Sequence, residues 1–240
     1  MVVYDLLPVG SRIVGKGPMK LNALLPLLIF LVIAVSSCSA SEDQSDKNGE
    51  NQNQRRSQDD SGRLLRLKKY SVVDTQGIGI EAFSLLVPAD WQVQGGITWN
   101  LQNPGMPATA NLTVSNPEGA EVFEILPNQA MFWTNNQMLL SMFPVGAMYM
   151  GSEVRPVADP LTALENIVVP RFRGAVSGLE ILSTEKLPEL AQSLGAGSPQ
   201  PGVETFADAG RVRIAYRYGG VALEEDIFAV VEGFSYGMQT

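Results

Sequence analysis

The alternation from Arg211 to Tyr218 constrains this chain more than any other stretch. Val212, Ile214, Tyr216 and Tyr218 alternate with Arg211, Arg213, Ala215 and Arg217, which places apolar side chains on one face of a strand and mostly cations on the other. Gly219-Gly220 follows, a pair that suits a two-residue hairpin turn, and Val221 to Val231 runs back. A turn without a bulge sets Tyr218 opposite Val221, Tyr216 opposite Leu223, Ile214 opposite Glu225 and Val212 opposite Ile227.

That register puts a carboxylate, Glu225, on the apolar face. Burying an unpaired carboxylate is costly, so the expectation is a bulge within Glu224-Glu225-Asp226, or an exposed strand end, that turns all three acids to water. A buried Glu225 would instead have a raised pKa and mark a site. It is the candidate for an enzyme acting on glycan or peptide bonds, with Asp226 or Glu224 beside it. On the other face Arg213 opposes Asp226, the geometry of a surface ion pair.

The remaining periodic segments are mostly strands. Phe83 to Val87 is ended by Pro88, Trp91 to Trp99 runs around Gly95-Gly96, and Leu112 and Val114 alternate with Thr113 and Ser115 between Ala108 and Ser115. Asn116-Pro117-Glu118-Gly119 then gives a type I turn into Val122 to Leu126. Arg63 to Tyr70 fits a helical turn or a first strand, and Gly77-Ile78-Gly79 is too short to cradle phosphate and reads as a turn. Leu179 to Leu182 suits a short strand. Asp159-Pro160 opens a short helix with Leu161, Leu164 and Val168 on one face, which Pro170 is expected to stop. Pro188 to Leu194 is a second short helix ended by Gly195, and residues 196–202 form a loop. These elements predict an α+β domain, mainly antiparallel sheet with short helices packed on it, over residues 63–240.

Ahead of that domain, Ser39 to Gly62 has almost no apolar side chain and cannot bury enough surface to offset ordering, so residues 38–62 read as a disordered polar tether. Gln44 to Gly49 looks like the start of a calcium loop, but Gln44 and Arg55 would occupy ligand positions and exclude it. Before the tether, LNALLPLLIFLVIAVSSC carries no charge from Ala23 to Val35, follows Lys20 and closes on small residues, the layout of a secretory signal. Leu24 to Val35 is short for a membrane span and is interrupted by Pro26. Met1 to Pro18 is long for a leader and includes Asp5, so Met19 is the better start, and residues 1–37 are assigned to the signal. The chain stops at Thr240 without a closing helix, which suggests C-terminal truncation.

Composition removes whole classes of chemistry. There is no histidine and one cysteine, Cys38, so Ser-His-Asp triads, His-ligated zinc, disulfides within the chain and cysteine nucleophiles are excluded. The net charge is −8, and loss of Arg12, Lys16 and Lys20 against Asp5 makes the exported part more acidic still. An acidic surface argues against nucleic acid and against a polybasic hold on anionic lipid. The methionine and aromatic stretch from Met131 to Met150 includes Trp133, Met148 and Met150, candidates for an apolar lip, with core packing as the plainer use. Copper(I) on thioethers is set aside for want of histidine or cysteine nearby. Arg171 and Arg173, with Arg155 upstream, are candidates for gripping an anion. No metal or cofactor is expected.

Val35-Ser36-Ser37-Cys38 resembles the lipobox of bacterial lipoproteins, in which signal peptidase cuts before a lipid-modified cysteine. The resemblance implies lipidation of Cys38, anchoring in the cell membrane on its extracytoplasmic face, and the outer membrane where the host has one. The order of elements, together with FSLLVPADW, resembles the Mog1/PsbP-like α/β sandwich of several bacterial lipoproteins over Phe83 to Val231. It implies a fold and carries no functional residue across. The function expected is therefore a non-catalytic domain that docks a protein or apolar ligand. A carboxylate-dependent envelope enzyme and a structural or assembly factor are the alternatives.

Overall fold

The computed structural model describes residues 1–15, 65–104, 106–197 and 203–235. The apolar run with Cys38, the polar tether and residues 198–202 of the loop lie outside them. Among the described residues no helix is long and apolar enough to cross a membrane.

The final hairpin is built as its alternation dictates. Strands β11 (Glu204–Tyr218) and β12 (Val221–Ser235) pair antiparallel around Gly219-Gly220, with Tyr218↔Val221, Tyr216↔Leu223, Ile214↔Glu225 and Val212↔Ile227 in register. Gly219 and Gly220 hold φ of 58° and 84°, the left-handed pair that a tight hairpin turn needs. No bulge interrupts this ladder, so Glu225 stays on the apolar face, 1% exposed. The expectation of a bulged or solvated Glu225 is thus corrected, and its physical reason lies on a neighbouring helix, described below.

Most other elements are strands. The first strand in the chain is β1 (Val2–Gly15), followed by β2 (Leu67–Val73), β3 (Glu81–Pro88), β4 (Gln92–Trp99), β5 (Ala108–Ser115), β6 (Val122–Ile125) and β7 (Gln129–Trp133). After helix α1 (Gln137–Met142) come β8 (Met148–Tyr149) and β9 (Ser152–Val154). Strand β10 (Ser177–Lys186) precedes the final hairpin. Among the described residues the main sheet runs β10-β11-β12-β1-β6-β5-β4, with β7 continuing along β1 beside β9 and β8, while β2 and β3 form a separate pair. Pairing is antiparallel apart from β7 with β9. Strand β1 pairs with β12 from Val2↔Ser235 to Gly15↔Leu223. A chain begun at Met19, or cut before Cys38, lacks this strand.

The helices depart from the sequence reading in two places: α1 has no counterpart there, and the helix opened by Asp159 runs on past Pro170. Helix α2 (Pro160–Ala163) starts where expected, on an Asp159 cap whose carboxylate accepts from the Leu161 and Thr162 amides. It continues through a π-helical turn (Leu164–Val168) into α3 (Val169–Arg173), past the proline expected to stop it. Pro170 has no N–H to give, and in the widened turn the Val169 N–H reaches back five residues to Leu164, so the ladder closes around the missing donor. The helix ends at Gly174, whose N–H bonds to the Pro170 carbonyl. Helix α4 (Pro188–Ser193) is a further short helix, near its expected place.

Three cores follow from these faces. Ala163, Leu164, Ile167, Val168 and Val169 pack on Val212, Ile214, Ile227 and Ala229 of the final hairpin. Ala191 of α4 covers Ala209 and Val230 on the opposite face of that hairpin. At the far end, Val72 and Val87 of the β2–β3 pair close on Leu112 and Val114 of β5. Burying a side chain such as Leu164 or Ile227 contributes about 1.5–3 kcal/mol against exposure.

Candidate functional site

The continuation of the helix through Pro170 delivers Arg171 and Arg173 to two different carboxylate groups. Arg173 grips Glu225 with two parallel bonds, Nε to Oε2 at 2.7 Å and Nη2 to Oε1 at 2.8 Å. Its Nη2 also donates to Oε2 of Glu124 on β6, and its Nη1 to the Phe172 carbonyl at 3.0 Å. This is why Glu225 tolerates burial: a planar guanidinium matches its two oxygens in a site closed to water. Burial alone disfavours the Arg173 charge, but the hydrogen bonds and charges of Glu225 and Glu124 outweigh it and raise its pKa above the ordinary value. Tyr216 stands beside the pair, and burial, reinforced by the Glu225 charge, pushes its phenol upward. Ion pairing thus accounts for the carboxylate whose burial would otherwise have marked a catalytic site. Two cavities, of about 180 and 490 Å³, are lined by other residues.

Arg171 turns the other way. Its Nη2 lies 2.5 Å from Oε2 of Glu153 on β9, and its Nη1 donates to Oε1 of Gln129. Arg155 closes on the other oxygen of Glu153, Nε to Oε1 at 2.5 Å. Burial pushes the Glu153 carboxyl up, yet the hydrogen bonds and charges of Arg171 and Arg155 hold it below the usual range. All three arginines read as candidates for an anion therefore hold carboxylates of this chain. The expected Arg213–Asp226 pair is also rearranged: the two residues oppose each other in register, but Arg213 Nη2 bonds to Oε2 of Glu224 at 2.7 Å.

The methionine stretch divides by depth. Met131 and Phe132 are buried on β7, and Trp133 is half-buried at its end. From there the chain makes an excursion through α1, capped by the Asn136 side chain on the Met138 and Leu139 amides, to the short β8. Tyr149 anchors this excursion, its ring 4.7 Å from that of Phe132 and 4.9 Å from that of Phe143. Met138, Met142, Val145, Met148 and Met150 are left exposed around it, Met148 at 59% and Met150 at 68%. Met150 and Gly151 form the turn between β8 and β9 with φ of 50° and 87°, and Met150 is the non-glycine residue with positive φ among those described. Asparagine or glycine suits that position better, so the backbone carries strain to set a thioether at the tip.

One polar feature had no counterpart in the sequence reading. Asp74, buried after β2, accepts from the Gly77 amide at 2.9 Å, the Ile78 amide at 3.3 Å and the Trp99 indole at 2.8 Å. The indole bond, followed by the amides, holds its carboxyl below the ordinary value despite burial. A Cβ at Gly77 would sit 2.0 Å from the Asp74 carboxylate, so glycine is required there. The visible signal is an Asp three residues before a Gly, the pattern of a side-chain-closed turn.

Among the described residues no group of three or more acidic, Cys or His side chains is gathered to hold a metal ion. Fold and site together give a mainly antiparallel sheet with few short helices, arginines paired with carboxylates of the same chain, and an exposed apolar excursion. No family model, curated protein or solved structure matches the chain.

Proposed function

We propose that the chain is a bacterial lipoprotein, anchored through lipid on Cys38, whose domain docks a protein or apolar ligand on the extracytoplasmic face of the membrane. The observation that carries the docking reading is the excursion from Met138 to Met150, with four exposed methionines and a strained Met150 at the turn. Thioethers on such a surface adapt to apolar partners of varied shape. The VSSC sequence supports the anchor, and several acyl chains suit stable retention better than one. The Mog1/PsbP-like sandwich is the finer fold assignment that goes with this reading. Cys38→Ala is expected to leave an unprocessed precursor or release the protein from membranes, and product mass is expected to begin at Cys38. Unchanged processing and retention, or recovery of peptides from residues 2–15 in the membrane-bound product, would reject the anchor. A Met148→Ser/Met150→Asn pair that keeps the native circular dichroism is expected to lose the partner crosslinked from membranes by wild type. An undiminished crosslink would reject docking through the excursion.

A further inference from the structure

The cavity of about 490 Å³ lies between β2 and β4, lined by Tyr70, Ser71, Val72 and Val73 on one side and Gly95, Gly96, Ile97 and Thr98 on the other. Successive side chains of a strand point to opposite faces, so four consecutive residues around one cavity mean that each strand meets it edge-on. Both edges are open among the described residues: β4 ends the main sheet and β2 pairs with β3 alone.

Hydrogen bonds fix which backbone groups point into the groove. The Asn100 N–H bonds to the Pro107 carbonyl, continuing the β4–β5 ladder, so the even-numbered residues of β4 direct their backbone groups at β5. Gly95, Ile97 and Trp99 point the other way, and the Trp99 N–H does meet the Gln76 side-chain oxygen, at 3.4 Å, beside the end of β2. On the facing wall the Arg66 carbonyl accepts from the Ala89 N–H at 2.8 Å, which by the same alternation turns the backbone of Ser71 away from β3. Gly95 is exposed at this edge, and a Cβ on the neighbouring Gly96 would meet nothing within 4 Å, so no side chain fills the space beside the half-buried Gly96. The Asp74–Trp99 bond closes one end of the groove.

Edge strands are ordinarily blunted by charge, proline or bulges. The edge strand β10 follows that rule, with Glu180, Glu185, Lys186 and two shifts of register against β11. Strand β4, QVQGGITW, carries no charge or proline and pairs with β5 without a shift. The groove lining is uncharged and presents Thr75, Thr98 and Asn111, while the Ser71 hydroxyl is bonded to Glu81 and the Gln76 oxygen to the Trp99 N–H.

We infer that the β2–β4 groove binds an extended, uncharged polypeptide segment of a partner protein, which adds as a strand to the open edge of β4 at Gly95 and Ile97. Backbone bonds supply the attachment, and the neutral hydroxyl- and amide-bearing walls select against charged segments. This site is separate from the methionine excursion, and its test leaves that surface intact.

The experiment uses the full chain and a capped synthetic peptide with the sequence of β5, ATANLTVS, followed by amide-resolved hydrogen exchange and NMR. In the free protein the Gly95 and Ile97 amides are expected to exchange faster than those of Gly96 and Thr98. Peptide is expected to shift and protect Gly95 and Ile97. Ser71→Pro, which removes an outward backbone donor and leaves the β2–β3 backbone bonds while losing the Ser71 hydroxyl's bond to Glu81, and Thr98→Lys, which places a charge in the groove, are each expected to abolish that protection. If Ser71→Pro does not fold, Thr98→Lys decides alone. Gly95 and Ile97 already protected in the free chain, perturbation at Gly96 and Thr98 through exchange with β5, no peptide effect, or binding unchanged in the folded variants would each overturn the inference.

Discussion

Arg171 and Arg173 stand two residues apart at the end of one helix, yet they enter different environments. Arg173 binds a carboxylate that is 1% exposed, and Arg171 binds Glu153 nearer the rim, where Gln129 and Arg155 share the work. The chemistry is the same and the surroundings differ. At Glu225 no water can replace a lost partner, so the arginine and the carboxylate require each other. At Glu153 two cations and nearby solvent offer substitutes. The buried cluster therefore specifies where the helix must sit, while the rim cluster adds a smaller increment.

Removing one side of the buried pair carries the largest expected effect. Arg173→Ala should cost about 3–5 kcal/mol in urea or guanidinium unfolding, because it strands Glu225 among Ile214, Tyr216 and Leu223. Replacing both together, Arg173→Met with Glu225→Leu, should return stability close to wild type. A single-variant loss below about 1 kcal/mol would mean that the two clusters do not differ as described.

The rim cluster should reveal itself through pH. Glu153 has a folded pKa below its ordinary value of 4.5, so its contribution is complete above that value and is lost as pH falls through the lower folded one. Glu153→Gln should lower stability at pH 7 by about 1 kcal/mol and flatten the acid limb of stability against pH. An acid limb identical to wild type would remove Glu153 from the account.

The smallest change goes the other way. Met150→Asn should stabilise the fold by up to about 1 kcal/mol, measured as a higher Tm, since asparagine tolerates the left-handed conformation better. Destabilisation would show that the Met150 side chain contributes more packing than its exposure implies.

The sequence made the sheet more legible than the clusters. Residue-by-residue alternation and Gly219-Gly220 are local signals, and the register they predicted from Tyr218↔Val221 to Val212↔Ile227 is the one formed. The hairpin from β5 to β6 and helix α4 were equally local. Arg173 and Glu225 are 52 residues apart, and no spacing rule connects them. Taken along the chain, Arg173 reads as an anion grip and Glu225 as an oddly placed acid, with nothing local to join them. Pro170 hid their relation, because a proline reads as a stop and its accommodation by a π-helical turn depends on what the helix gains beyond it. The methionines were legible as a group but not by depth: whether Met131 turns inward and Met148 outward depends on neighbours that are remote in the chain.

A π-helical turn amounts to one residue more than a regular helix would use over the same length. Deleting a residue between Leu164 and Val168 would rewind the helix end by about 100° and draw it back about 1.5 Å. Arg171 and Arg173 would then sweep past Glu153 and Glu225 like teeth of a key cut one notch short. The extra residue is thus a setting of angle as much as a repair around proline, and it keys this helix to two separated parts of the sheet at once.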